Sequence, residues 1–235
     1  MARIILVHGA WGNALSWAAV SPLLKAAGHD VEALDLPGHG RNPPSGEIGQ
    51  PDYVDHVCAR LADGPPALLV GHSMGGIVIA QAASRLPAQV TACVFVAALL
   101  PRDGESLLDL IRQQDAPGVQ AYVRPGPVPG TTTLTDEAPA ALFPDASPRA
   151  AAAAMSALSP QPNKAQTDKA QIGPALAGVP KAYIHCTEDR VVSYPLQQQM
   201  VAATPCEAVF TLECGHVPLL TQPKALSEIL LGLTG

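Results

Sequence analysis

The sequence predicts an α/β chain: a mainly parallel six-stranded sheet with helices on both faces and a small lid inserted after the fourth strand. Three observations carry this expectation. Short, continuous apolar runs alternate with helix-length stretches, the pattern of strands buried on both faces by crossover helices. The alternation stops between Pro101 and about Gly178, where prolines crowd the chain. The length of 235 residues suits one large domain, or one domain carrying a lid. The expected division is a core from 1–100 and 179–235 with a lid from 101–178.

The elements follow in order. Ile4 to Val7 is an apolar run read as the first strand. Ala14 to Ala27 reads as a helix that ends near Gly28. Val31 to Leu34 is the second strand, followed by the turn Leu36-Pro37-Gly38-His39-Gly40. Asp52 to Ala62 places Val54, Val57, Cys58 and Leu61 on one helical face. Ala67 to Val70 is the third strand. Met74 to Leu86 is a helix ended by Pro87, and the β-branched run Val90 to Ala97 is the fourth strand. The proline-rich stretch holds helical pieces at Leu107 to Gln114 and Pro148 to Leu158, and no strong strand. A structureless loop of that length is unusual inside a domain, so a lid is the expected reading. Ala182 to Cys186 and Ala208 to Leu212 are strands five and six, and a helix from about Pro223 to Leu233 closes the chain.

Composition narrows the class. Hydrophobic residues are 48% and charged residues 14%, which excludes a disordered chain. Lys plus Arg is 14 against 20 for Asp plus Glu, a net charge of −6 with no basic run. Phosphate neutralisation supplies most nucleic-acid affinity, so no nucleic-acid partner is expected. No apolar run reaches the roughly 18 residues that span a bilayer, so no membrane partner is expected either. Met1-Ala2-Arg3 leads straight into a short strand rather than a signal core. The five cysteines are scattered without C-x-x-C spacing, which fits free thiols in the cytoplasm.

The most informative segment is Gly71-His72-Ser73-Met74-Gly75, a G-x-S-x-G between a buried strand and the apolar helix Gly75-Gly76-Ile77-Val78-Ile79-Ala80. A serine on so sharp a strand-to-helix turn needs glycine two positions either side, because side chains there would meet neighbouring backbone. The turn sets Ser73 at a helix N-terminus, where N–H groups favour negative charge. No Gly-Lys-Ser/Thr follows, which excludes a Walker phosphate loop.

Acyl transfer needs donors aimed at a developing oxyanion. The N–H of Met74, after the nucleophile, is one candidate. The other is the N–H of Ala10, in the loop His8-Gly9-Ala10-Trp11-Gly12 after the first strand. His8 reads as a loop-ordering residue. A base is sought late in the chain, since the order in this architecture is Ser, acid, His. His216 lies in Glu213-Cys214-Gly215-His216-Val217-Pro218, after the last strand and before the last helix; His185 lies within a strand pattern. The acid should follow strand five, where both Glu188 and Asp189 stand; Asp103 after strand four is another source, and Asp35 reads as a turn residue. The histidines lack metal-ligand spacing, so neither metal nor cofactor is expected.

These residues resemble the α/β-hydrolase superfamily, and more narrowly the plant methylesterase and hydroxynitrile lyase family with its bacterial esterase relatives. The resemblance runs through His8-Gly9-Ala10-Trp11, Leu23 to His29, Ala33-Leu34-Asp35-Leu36, Gly71 to Gly76 and Phe95-Val96-Ala97-Ala98. It continues through Leu142 to Pro148, Leu158-Ser159-Pro160-Gln161-Pro162 and Tyr183 to Arg190. It implies Ser73 as nucleophile, His216 as base, Asp189 as acid, and Ala10 and Met74 as oxyanion donors. It also implies that lyases carry a threonine where this chain has Gly9 and a lysine where it has Val217. Plant members usually have a second histidine in the first loop, where this chain has Asn13 nearby.

The expected function is a serine carboxylesterase for small esters, methyl or aryl, working through an acyl-enzyme. Gly9, Trp11, His72 and Val217 are the candidate substrate-contacting residues. The rival readings are a carbon–carbon lyase and a non-catalytic small-ligand sensor. The expected partner is the ester itself, with homodimerisation left open.

Overall fold

The computed structural model describes residues 1–44, 46–115 and 118–235; Pro117, one of the prolines of the central stretch, lies outside them. Six strands form one sheet: β1 (Arg3–Val7), β2 (Asp30–Ala33), β3 (Ala67–His72) and β4 (Val90–Val96), then the last two strands of the chain, Lys181–Cys186 and Ala208–Leu212. Between them lie three short strands, β5 (Val123–Pro125), β6 (Thr131–Leu134) and β7 (Gln161–Pro162). The last two are therefore β8 and β9. The large sheet runs β2-β1-β3-β4-β8-β9, and every pairing in it is parallel.

Alternation along the strands sorts the core. Ile5, Val7, Leu69 and Phe95 pack on one face, while Ile4, Leu6, Leu68, Val70, Val94 and Val96 pack on the other. Both faces are dry, which is why the strands read as continuous apolar runs. The strand order reverses between β1 and β3, whose registers pair Val7 with Gly71. Such a reversal opens a crevice at the carboxyl ends of the strands.

Several boundaries differ from the sequence reading. The helix expected from Ala14 to Ala27 is split into a 3₁₀ turn, Ala14–Trp17, and a helix, Ser21–Ala26. Pro22 has no N–H for a helix interior but fits a first turn, so it restarts the helix. Leu107–Ile111 and Pro148–Ser156 are shorter than expected. The central stretch is not strand-free: β5, β6 and β7 make a small antiparallel sheet. At two to four residues each, these strands are too short to show a period. The helix Tyr194–Ala203 went unread because polar glutamines interrupt its apolar face; Ser193 caps it and Pro195 sits in its first turn. Among the described residues no helix is long and apolar enough to cross a membrane.

The turn from β3 into the helix Gly75–Arg85 is closely packed. A Cβ on Gly71 would lie 2.7 Å from the Gly75 carbonyl, and one on Gly75 would lie 2.7 Å from the Val7 oxygen. Both obstacles are backbone and cannot rotate away. Gly71→Ala is expected to destabilise the protein by about 1–3 kcal/mol, seen as a lower denaturant midpoint. An unchanged midpoint would mean the turn can open freely.

Candidate active site

Ser73 sits at the crest of that turn with φ 53, a left-handed value that costs a non-glycine residue about 1–3 kcal/mol. The conformation is held from both sides. Ser73 N–H donates to Val96 O at 3.3 Å, and its carbonyl accepts from Leu99 N–H and Gly76 N–H, each at 3.0 Å. Neither the Ala10 N–H nor the Met74 N–H has an acceptor among the described residues. Gly9 brings the β1 loop against Ser73: a Cβ there would lie 2.8 Å from Ser73 Cβ.

The structure brings Asp189 and His216 together. Asp189 follows β8, and its Oδ2 lies 2.8 Å from His216 Nδ1. Its Oδ1 accepts from the N–H groups of Val191 at 2.7 Å and Val192 at 2.9 Å. Gln197, on the helix Tyr194–Ala203, donates Nε2 to Oδ2 at 3.1 Å and is fully buried. Sequence reasoning missed Gln197, since a lone glutamine in an unread helix gives no motif. Glu188 is exposed, whereas Asp189 is buried. Asp103 accepts from Ile172 N–H, away from this cluster, and Asp35 binds Ala14 N–H and Arg41 as a turn residue. His185 lies buried on β8 against Gln197.

With Nδ1 engaged by the carboxylate, His216 has Nε2 to offer. His216 and Ser73 line the same cavity, of about 300 Å³. No hydrogen bond joins them among the described residues; such contacts are often loose in the free enzyme and tighten with substrate. Gly9, Ala10, Trp11, His72 and Val217 also line the cavity. No Asp, Glu, Lys or Arg lines it. The far wall comes from segment 101–178, including Leu134, Leu142, Phe143 and Leu158. Ala150, Ala153, Ala154 and Ala157 form an alanine face there, on and just beyond the helix Pro148–Ser156. Among the described residues no group of three or more His, Cys, Asp or Glu side chains could hold a metal ion.

Three other histidines surround the cavity loops and are kept neutral. His8 donates Nδ1–H to Gly9 O at 2.8 Å and accepts Leu36 N–H at Nε2; burial lowers its pKa to about 4. It orders the loop, as expected. His72 donates Nε2–H to His216 O at 2.8 Å, so the residue before Ser73 also ties down the loop of His216. Burial, then the adjacent His216 ring, lowers its pKa to about 3. Burial likewise lowers His39 to about 3. Trp11, at φ 57, is a second strained residue and lies in the β1 loop.

Residues 4–229 match the family described as "Alpha/beta hydrolase family". The chain belongs to the alpha/beta hydrolase family. Within it, the chain is 31% identical to Methylesterase 7 of Arabidopsis thaliana, over 97% of this chain and 95% of that one. It is 29% identical to Putative methylesterase 11, chloroplastic, of the same plant, over 97% of this chain. The chain spans 63% of the length of that relative and 56% of Putative methylesterase 13, chloroplastic. Among solved structures, polyneuridine aldehyde esterase superposes with a TM-score of 0.87 at 25% identity, covering 100% of both chains.

The three neutral histidines give the fold a signed pH dependence. Their folded values lie below the ordinary 6.5, so the unfolded chain binds more protons between those values. Stability is therefore fully present above pH 6.5 and falls with pH toward 4 and 3. Each contributes a slope of about 1.4 kcal/mol per pH unit in that window. Denaturant titrations at pH 7 and pH 5 should show a clear loss at pH 5; equal midpoints would refute the neutral assignment.

Proposed function

We propose that this hydrolase is a serine carboxylesterase acting on small, uncharged esters, with methyl and aryl esters the favoured class. The observation that carries the reading is the 2.8 Å contact between Asp189 Oδ2 and His216 Nδ1, beside a cavity shared by His216 and Ser73. Asp189 holds the imidazole with Nδ1 protonated and stabilises the imidazolium once it forms. His216 Nε2 takes the proton of Ser73 Oγ as that oxygen adds to the ester carbonyl. The carbonyl oxygen gains negative charge and is met by the N–H groups of Ala10 and Met74. His216 then gives its proton to the departing alcohol, leaving an acyl group on Ser73. Water, deprotonated by His216, attacks that acyl group; the acid leaves and Ser73 is restored.

The uncharged cavity supports a neutral substrate, since burying an unpaired charge is costly. Residues 101–178 act as a lid over a core of 1–100 and 179–235, and Trp11, His72, Gly9 and Val217 contact the substrate. Gly9 and Val217 supply neither the hydroxyl nor the cation that would hold departing cyanide, so hydrolysis is favoured over cyanohydrin cleavage. The relatives named as methylesterases point the same way. All five cysteines are free thiols, which supports action in a reducing compartment, the cytoplasm.

Ser73→Ala is expected to lower kcat on p-nitrophenyl acetate by about 10⁴- to 10⁶-fold with the thermal midpoint retained. Wild-type turnover surviving that substitution would remove Ser73 from the mechanism. Mandelonitrile should release no cyanide in the same assay.

A further inference from the structure

The β1 loop is clamped from outside the large sheet. Trp11 N–H donates to Gln161 Oε1 at 3.2 Å, and Trp11 O accepts from Ser159 N–H at 2.7 Å. Asn13 Nδ2 donates to Ala157 O at 2.6 Å and to Ser159 Oγ at 3.2 Å. Both polar groups of the strained Trp11 backbone are thus fixed by one short stretch some 150 residues along the chain. A bulky side chain at φ 57 persists only where its surroundings over-determine it, and here the surroundings are Ser159 and Gln161.

Gln161 is fully buried on β7 and belongs to a closed polar circuit. Its Nε2 meets Tyr53 OH at 3.1 Å; Tyr53 OH meets His39 Nε2 at 2.9 Å; His39 Nδ1 meets Gly12 O at 2.9 Å. The proton positions follow one by one. Gly12 O can only accept, so His39 Nδ1 carries the hydrogen. The neutral ring then accepts at Nε2, and the Tyr53 hydroxyl donates to it. The hydroxyl oxygen accepts from the Gln161 amide, which turns the Gln161 oxygen toward Trp11 N–H. Every hydrogen bond points the same way around the circuit, from Trp11 to Gly12, and all its members are satisfied.

We propose that Gln161 is a positioning residue for ester hydrolysis: backed by Tyr53 and His39, it fixes the Ala10–Trp11 peptide plane, which adjoins the Gly9–Ala10 plane, and so helps to aim the Ala10 N–H at the oxyanion. The proposal rests on the esterase reading. It makes the donor geometry depend on the docking of β7, so the central segment helps to build the reacting centre as well as cover it. The clamp acts on a donor used when charge develops, so its loss lowers kcat and leaves ground-state binding alone. A 1 Å misplacement costs about 10²-fold.

The test compares Gln161→Leu and Tyr53→Phe with wild type, using p-nitrophenyl butyrate and a matched pair of ketones. A trifluoromethyl ketone adds to Ser73 and places an oxyanion on the donors; its methyl analogue only occupies the cavity. Gln161→Leu is expected to lower kcat by about 10- to 100-fold with KM within threefold. It should weaken the trifluoromethyl ketone by the same factor and spare the methyl ketone. Tyr53→Phe keeps the ring and should show a smaller loss with the same split; it decides the matter if the leucine variant does not fold. Amide hydrogen exchange at Trp11 should quicken in both variants. Wild-type kcat in folded Gln161→Leu, or equal weakening of both ketones, would overturn the proposal. If wild type cleaves no ester, the esterase reading fails. The exchange measurement still judges the clamp: unchanged protection at Trp11 sinks it.

Discussion

A serine at φ 53 between a buried strand and a helix does not hold that conformation alone. Val96, Leu99 and Gly76 fix its peptide groups, and the bare α-carbons of Gly71 and Gly75 let three backbone segments meet around it. The same closeness leaves the Met74 N–H without an acceptor among the described residues and brings the β1 loop up against Ser73. Backbone strain and the placement of these groups are therefore one geometric event at the end of β3. The reversal of strand order between β1 and β3 supplies the gap in which that event takes place.

Charge is managed around this point by contrast. His8, His39 and His72 are sealed among backbone carbonyls and kept neutral by burial. Each donates one ring N–H to a backbone carbonyl, and each holds a loop. His216 differs because it alone among these rings faces a carboxylate, Asp189, itself fixed by two backbone N–H groups and Gln197. On the proposed mechanism, the imidazole that takes up positive charge is the one given a partner for it.

The sheet was legible because its central strands, buried on both faces, must be apolar throughout; the edge strands β2 and β9 are partly exposed and are read from apolar stretches. Ser73 and His216 were legible through local rules, glycine spacing and a place directly after a strand; those rules left Glu188 and Asp189 both open, and only the family resemblance separated them. Structure that depends on partners distant in sequence was not. Gln161 and Gln197 are ordinary glutamines until folding puts Trp11 and Asp189 beside them. Strands β5 to β7 are too short to carry a period. Pro22 broke a helix whose apolar pattern continued across it, because periodicity records burial and is blind to a missing N–H. Asn13 was visible only as a departure from a family pattern; its bonds to Ala157 and Ser159 show what it does in this chain.

The alanine face of the helix Pro148–Ser156 has a consequence for how selectivity can drift. Alanine is the smallest residue with a side chain, and glycine would weaken the helix by about 1 kcal/mol. Nearly every tolerated replacement at Ala150, Ala153 or Ala154 therefore adds atoms to the cavity. Along this wall the space beside Ser73 stands near its largest size, and substitution there proceeds by filling.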